Sequence, residues 1–156
     1  MTKVMGVLAI LVLAAACGDD GGGGVKTFTV PLVAADEVPV CASAGASATG
    51  SATVTISADD SMITVNLTFN GLSGPATNAH IHYGAPGAAG GVIFPLGANP
   101  VSPVTKTFKA TDYPATPPEG APATFAAFVT DMKAGKSYVN VHAAACAPGE
   151  IRGQID

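Results

Sequence analysis

All three histidines of this 156-residue chain lie in two short segments, Ala79-His-Ile-His-Tyr83 and Tyr138-Val-Asn-Val-His142. Gly149-Glu-Ile-Arg-Gly-Gln-Ile155 follows the second within eight residues. Imidazole, carboxylate, guanidinium and amide groups at this spacing are the raw material of a metal centre. Two imidazoles at i and i+2 of a strand share one face with their backbones about 7 Å apart, and both rings can then reach one ion. A third from a neighbouring strand completes a three-nitrogen set of His80, His82 and His142, which suits copper or zinc. In an oxidising compartment Cu(II) is a candidate. The competing reading is structural: the imidazoles bond to backbone or carboxylate groups, with Glu150 as a partner, and hold loops in place.

Acid–base or nucleophilic catalysis finds less support. Glu150 and Arg152 would share a strand face, but the sequence offers no second acid beside them. An ion pair, or bonds from Arg152 to the carbonyls of a neighbouring loop, is the expected role, with Asn140 in the same structural polar cluster. Gly84 to Gly91 lacks the Gly-Lys-Ser/Thr ending of a phosphate loop and does not open a helix. There is no Gly-x-Ser-x-Gly motif. The Asn66-Leu-Thr68 sequon falls inside an expected strand and is discounted. No catalytic residue and no cofactor beyond copper or zinc is assigned, and the expectation is a protein without turnover.

The elements that would position the histidines read as strands. Alternation puts His80 and His82 opposite Ile81, and Tyr138, Asn140 and His142 opposite Val139 and Val141. Ile151 and Ile155 face the core, leaving Glu150, Arg152 and Gln154 on the polar side. Thr27 to Val33 opens the domain as a strand that Pro31 restricts to an edge or a bulge. Ser51 to Ser57 and Met62 to Phe69 form a hairpin about the turn Ala58-Asp-Asp-Ser61, with Val54, Ile56, Ile63, Val65, Leu67 and Phe69 facing in. Further strands are expected at Val92 to Leu96 and Val104 to Phe108, and Pro114 to Pro122 reads as irregular. One helix is expected: Phe125, Phe128, Val129 and Met132 recur at helical spacing, with Thr124 as N-cap and Gly135 as stop. The fold class is mainly β, an antiparallel β-sandwich or barrel-like single domain with one short helix.

Lys3, the apolar run Val4 to Ala16 and the small residues before Cys17 predict a lipoprotein signal peptide over residues 1–16, too short to span a bilayer. Cys17 would become the lipidated first residue, and residues 17–26 a glycine-rich tether carrying residues 27–156. Loss of Lys3 leaves six cations against eleven acids, a net of −5, which argues against nucleic acid or anionic lipid surfaces as partners. The expected location is extracytoplasmic, held to a bacterial membrane through lipid, with the outer membrane or cell surface favoured and an envelope or extracellular protein as partner. Cys41 and Cys146 remain as an even pair outside the cytoplasm, so a disulfide is expected, with two metal-ligating thiols as the competing reading.

Five blocks in order, Glu37-Val-Pro-Val40, Gly71-Leu-Ser-Gly74, Ala79-His-Ile-His82, Tyr138-Val-Asn-Val-His142 and Gly149-Glu-Ile-Arg-Gly-Gln154, resemble the CHRD domain, in its single-copy bacterial lipoprotein form. The likeness runs from about Phe28 to the last residue. It implies a compact β-rich domain with no established catalytic activity. The His-x-His strand also resembles part of the copper site of copper-zinc superoxide dismutases, which need more histidines than this chain has. The resulting expectation is a lipid-anchored envelope module with a binding or structural role. A copper or zinc protein for storage, delivery or redox protection is the second reading, and a dismutase-like or hydrolytic enzyme the last.

Overall fold

The computed structural model describes residues 23–156. The expected signal peptide, Cys17 and most of the tether lie outside the described residues. Eight strands form one antiparallel sheet: β1 (Lys26–Val33), β2 (Thr49–Ile56), β3 (Met62–Asn70), β4 (Ala76–Tyr83), β5 (Val92–Ala98), β6 (Val104–Lys109), β7 (Ser137–Ala143) and β8 (Cys146–Gln154). Their order across the sheet is β5-β4-β7-β8-β1-β2-β3-β6. The sheet curls until its two edges meet, where the rings of Phe94 on β5 and Phe108 on β6 stack at 4.4 Å between centroids. Of the sandwich and barrel-like arrangements anticipated, the chain adopts the barrel-like one. No helix among the described residues is long and apolar enough to cross a membrane.

Alternation decides what fills the barrel. Val54, Ile56, Ile63, Val65, Leu67, Ile81, Val139, Val141, Ile151 and Ile155 are all essentially inaccessible to solvent. Fully burying each such side chain contributes about 1.5–3 kcal/mol. Phe69, at the end of its alternating run, is only partly buried. The β2–β3 hairpin closes as its sequence demands: Asp59 Oδ1 accepts from Ser57 Oγ and from the Ser61 backbone N–H, and Asp60 takes a left-handed φ of 58°.

The helix α1 (Phe125–Lys133) begins at Thr124, whose hydroxyl accepts from Ala127 N, and Gly135 follows it with a left-handed φ of 74°. Its buried stripe is Phe125, Phe128, Val129 and Met132. Phe128 meets Phe94 edge-on at 5.6 Å, so the helix packs against the seam where β5 approaches β6.

Pro31 departs from expectation in an instructive way. β1 is not an edge strand, since it lies between β8 and β2. It pairs with β2 along its whole length, from Lys26↔Ile56 to Val33↔Thr49, but with β8 only at Val33↔Arg152. The ladder that a proline cannot donate to is therefore almost absent on that side. Gly153 allows the approach, because a Cβ there would collide with the Pro31 carbonyl.

Candidate functional site

The register of the central strands builds the site. His80 lies opposite Asn140, and Asn140 opposite Arg152; His82 lies opposite Tyr138, and Tyr138 opposite Gln154; Asn78 lies opposite His142. With Ile81, Val139, Val141 and Ile151 pointing inward, these side chains all emerge on the outer face of β4, β7 and β8. Two connections cover that face, residues 34–48 between β1 and β2 and residues 84–91 between β4 and β5. His82 and His142 are 7% and 8% exposed and Asn140 and Arg152 are 1% exposed, so an outward-facing set has become a buried one. His80 stays partly open and forms the mouth.

One ring nitrogen from each of His80, His82 and His142 lies within 4.8 Å of the other two. The ring centroids are 5.0 to 6.2 Å apart. Backbone carbonyls fix two of the tautomers. His82 Nδ1 is 2.9 Å from Gly90 O and His142 Nδ1 is 2.9 Å from Ala147 O. A carbonyl only accepts, so both Nδ1 atoms carry the proton and both Nε2 atoms present lone pairs. His80 Nδ1 stands 3.1 Å from His142 Nε2 and donates to it. Burial, together with the two neighbouring imidazoles, pushes the His80 pKa down to about 4. Burial also lowers that of His82, against the opposing pull of the Gly90 carbonyl.

Stacking braces this cluster. His82 lies flat on the Tyr138 ring, 4.8 Å between centroids with planes 8° apart, and the Arg152 guanidinium lies over the same ring, 3.4 Å from its centroid. Arg152 donates to Ala88 O, Ala85 O and Gln154 Oε1 at 2.9, 3.2 and 3.1 Å. It therefore binds loop carbonyls and forms no ion pair with Glu150. The same loop supplies Gly90, whose N–H donates to Tyr138 Oη and whose carbonyl orients His82.

Glu150 is fully buried and away from the imidazoles, so it is not their carboxylate partner. It accepts from Gly45 N, Ser73 N and Ser73 Oγ at 2.8, 2.6 and 2.7 Å, and so fastens two loops to β8. Glu150→Gln exchanges an acceptor oxygen for a donor among three existing donors. It is expected to cost about 1–3 kcal/mol in urea unfolding; a change below a few tenths would remove the carboxylate from that role.

Cys41 and Cys146 form a disulfide, which excludes the competing reading of two thiolate ligands. The bridge pins the 34–48 connection beside Ala147, the residue that orients His142.

Glu37 was not assigned a role from sequence. Its side chain is buried beside the site, with Oε1 accepting from Val38 N at 3.1 Å and Oε2 from Asn140 Nδ2 at 3.5 Å. Burial raises its pKa, opposed by these bonds and by Arg152 and His142. Gly149, with φ 144°, makes the room: a Cβ there would collide with the Glu37 carboxylate. The Glu-Val-Pro-Val block carried the signal, but only the fold shows that Glu37 reaches across to Asn140.

A cleft of about 420 Å³ lies elsewhere, lined among others by Phe69, Leu72, Pro75 and Val101. It contains no titratable side chain and offers no acid–base chemistry. The histidine face is thus the candidate site. No curated protein and no solved structure matches the chain. The family model described as CHRD domain matches residues 28–155, nearly the whole of the described barrel, and the chain belongs to the CHRD-domain family.

Proposed function

We propose that this CHRD domain is a metal-binding module that holds one copper or zinc ion through His80, His82 and His142 and acts in storage, delivery or protection without turnover. One observation carries the reading. Three imidazole nitrogens lie within 4.8 Å, and two of them are presented as lone pairs by carbonyl-bound Nδ1 protons. Outer bonds of this kind are what orient and strengthen histidine ligands in metal sites. Nitrogens about 2.0–2.1 Å from a common ion stand about 3.3–3.5 Å apart, so ring rotations must draw the set together by roughly 1 Å. His80 must also shift its proton from Nδ1 to Nε2, which its partial exposure permits. The lipobox-like residues before Cys17 support placing the module outside the cytoplasm on a lipid anchor, where copper and zinc are met directly.

The test is titration of the full chain with Cu(II) and with Zn(II), counting bound metal by native mass spectrometry. One ion per chain is expected, and His80→Ala is expected to weaken binding more than about 100-fold, beyond what loss of an outer bond costs. Because His80 sits at the mouth, the metal-free variant should melt within a few degrees of the parent. Absence of binding, or a large loss of metal-free stability in His80→Ala, would make the histidines structural.

A further inference from the structure

Two buried acceptors at this site have no hydrogen-bond partner: His82 Nε2 and Asn140 Oδ1. They share one small patch of the face: Asn140 pairs with His80 and stands between Tyr138, the partner of His82, and His142. The His82 nitrogen carries a lone pair because its Nδ1 proton is committed to Gly90 O. The Asn140 oxygen is left over because the amide Nδ2 donates to Glu37 Oε2. Two lone-pair atoms therefore share a desolvated patch with no donor between them, and each bears the penalty of an unmade hydrogen bond. An ion on His82 Nε2 satisfies the first atom and leaves the second.

Three imidazoles fill only three positions, whereas zinc and Cu(II) take at least four ligands. Asn140 is leashed to Glu37 on the 34–48 connection, which restrains Oδ1 from closing directly onto the ion. A flipped amide would turn N–H donors toward a cation, so the loaded protein keeps the oxygen on the metal side. Solvent reaches the site past the partly open His80. We propose that the bound ion keeps an exchangeable water ligand that donates a hydrogen bond to Asn140 Oδ1, and that small monodentate anions enter at this position. The proposal rests on the three-histidine metal reading. It assigns Asn140 as a positioning residue for the fourth ligand and Glu37 as the group that sets the amide.

The experiment uses the full chain loaded with Cu(II), its metal content measured first. Relaxation of solvent protons is followed while azide is added, and azide binding is read from its charge-transfer band on copper. The expected result is enhanced relaxation that azide abolishes. In Asn140→Leu, which still carries one copper per chain, azide should bind about five- to tenfold more tightly, because the competing water has lost one neutral hydrogen bond while azide has no proton to give. Copper bound with no relaxation effect and no azide band would mean a closed position, and the inference falls while the metal site stands. An azide response identical in Asn140→Leu would remove Asn140 from the role. No bound copper or zinc would sink the metal reading itself. The relaxation measurement needs no variant, so it decides on the open position even if Asn140→Leu fails to fold.

Discussion

Reducing the Cys41–Cys146 bridge, or replacing both cysteines by serine, is expected to lower unfolding free energy by about 4–5 kcal/mol. The two residues are 105 positions apart, and closing a loop of about that length restricts the unfolded chain by this amount in the chain-entropy view. For a domain of this size the melting temperature should fall by on the order of 15 °C. Cys146 is buried against β7 whereas Cys41 sits in the covering connection, so the bridge also fixes that connection to the hairpin bearing His142. Calorimetry of oxidised, reduced and double-serine protein checks this. A loss below about 1 kcal/mol would show that the connection is held by the Glu150 bonds to Gly45 and by Glu37 instead.

Arg152→Ala is expected to cost a further large amount, about 3–5 kcal/mol, at the upper end for loss of a large buried side chain that holds a hydrogen-bond network. The side chain is 1% exposed and donates three hydrogen bonds, two of them to carbonyls of the 84–91 connection. Truncation leaves those carbonyls unpaired and uncovers the Tyr138 ring that supports His82. Arg152→Lys should recover only a small part, because an ammonium cannot lie flat on the ring while reaching two carbonyls in a fork. Urea unfolding measures the cost. Hydrogen exchange should show faster opening at Gly90, whose N–H bonds to Tyr138. An Arg152→Lys variant as stable as the parent would reduce the role of Arg152 to that of a point charge.

These two cases mark what the sequence allowed and what it withheld. The period-two pattern of Met62 to Phe69, the Asp-Asp turn before it and the Thr124 cap of the helix are local signals, and they read directly as β3, its turn and α1. The two-face assignment of Ile81 between His80 and His82, and of Val139 and Val141 around Asn140, is also local, and it located the histidine face. The cysteine pairing followed from the count together with an expected location outside the cytoplasm. Closure of the sheet did not follow from local pattern, because Phe94 and Phe108 sit in strands distant along the chain and meet only when the sheet curls. Nor did the course of β1: Pro31 signals a missing donor, but whether that gap faces solvent or a barely paired neighbour depends on Gly153, far along the chain. Glu37 was hidden for the same reason. A glutamate in an irregular segment looks like a solvated loop residue until the connection folds over Gly149 onto Asn140. Glu150 and Arg152 look like one pair two residues apart, yet they fasten different loops.

The alternation that separates the inward Ile81, Val139, Val141 and Ile151 from the outward His80, His82, Asn140 and His142 also separates two kinds of physical constraint. Packing disciplines the interior, and changes there are paid for in stability. The outer face answers instead to the two connections above it, where Arg152 and Glu150 fasten separate loops. Sharing this barrel therefore does not by itself entail sharing the chemistry of the face it carries.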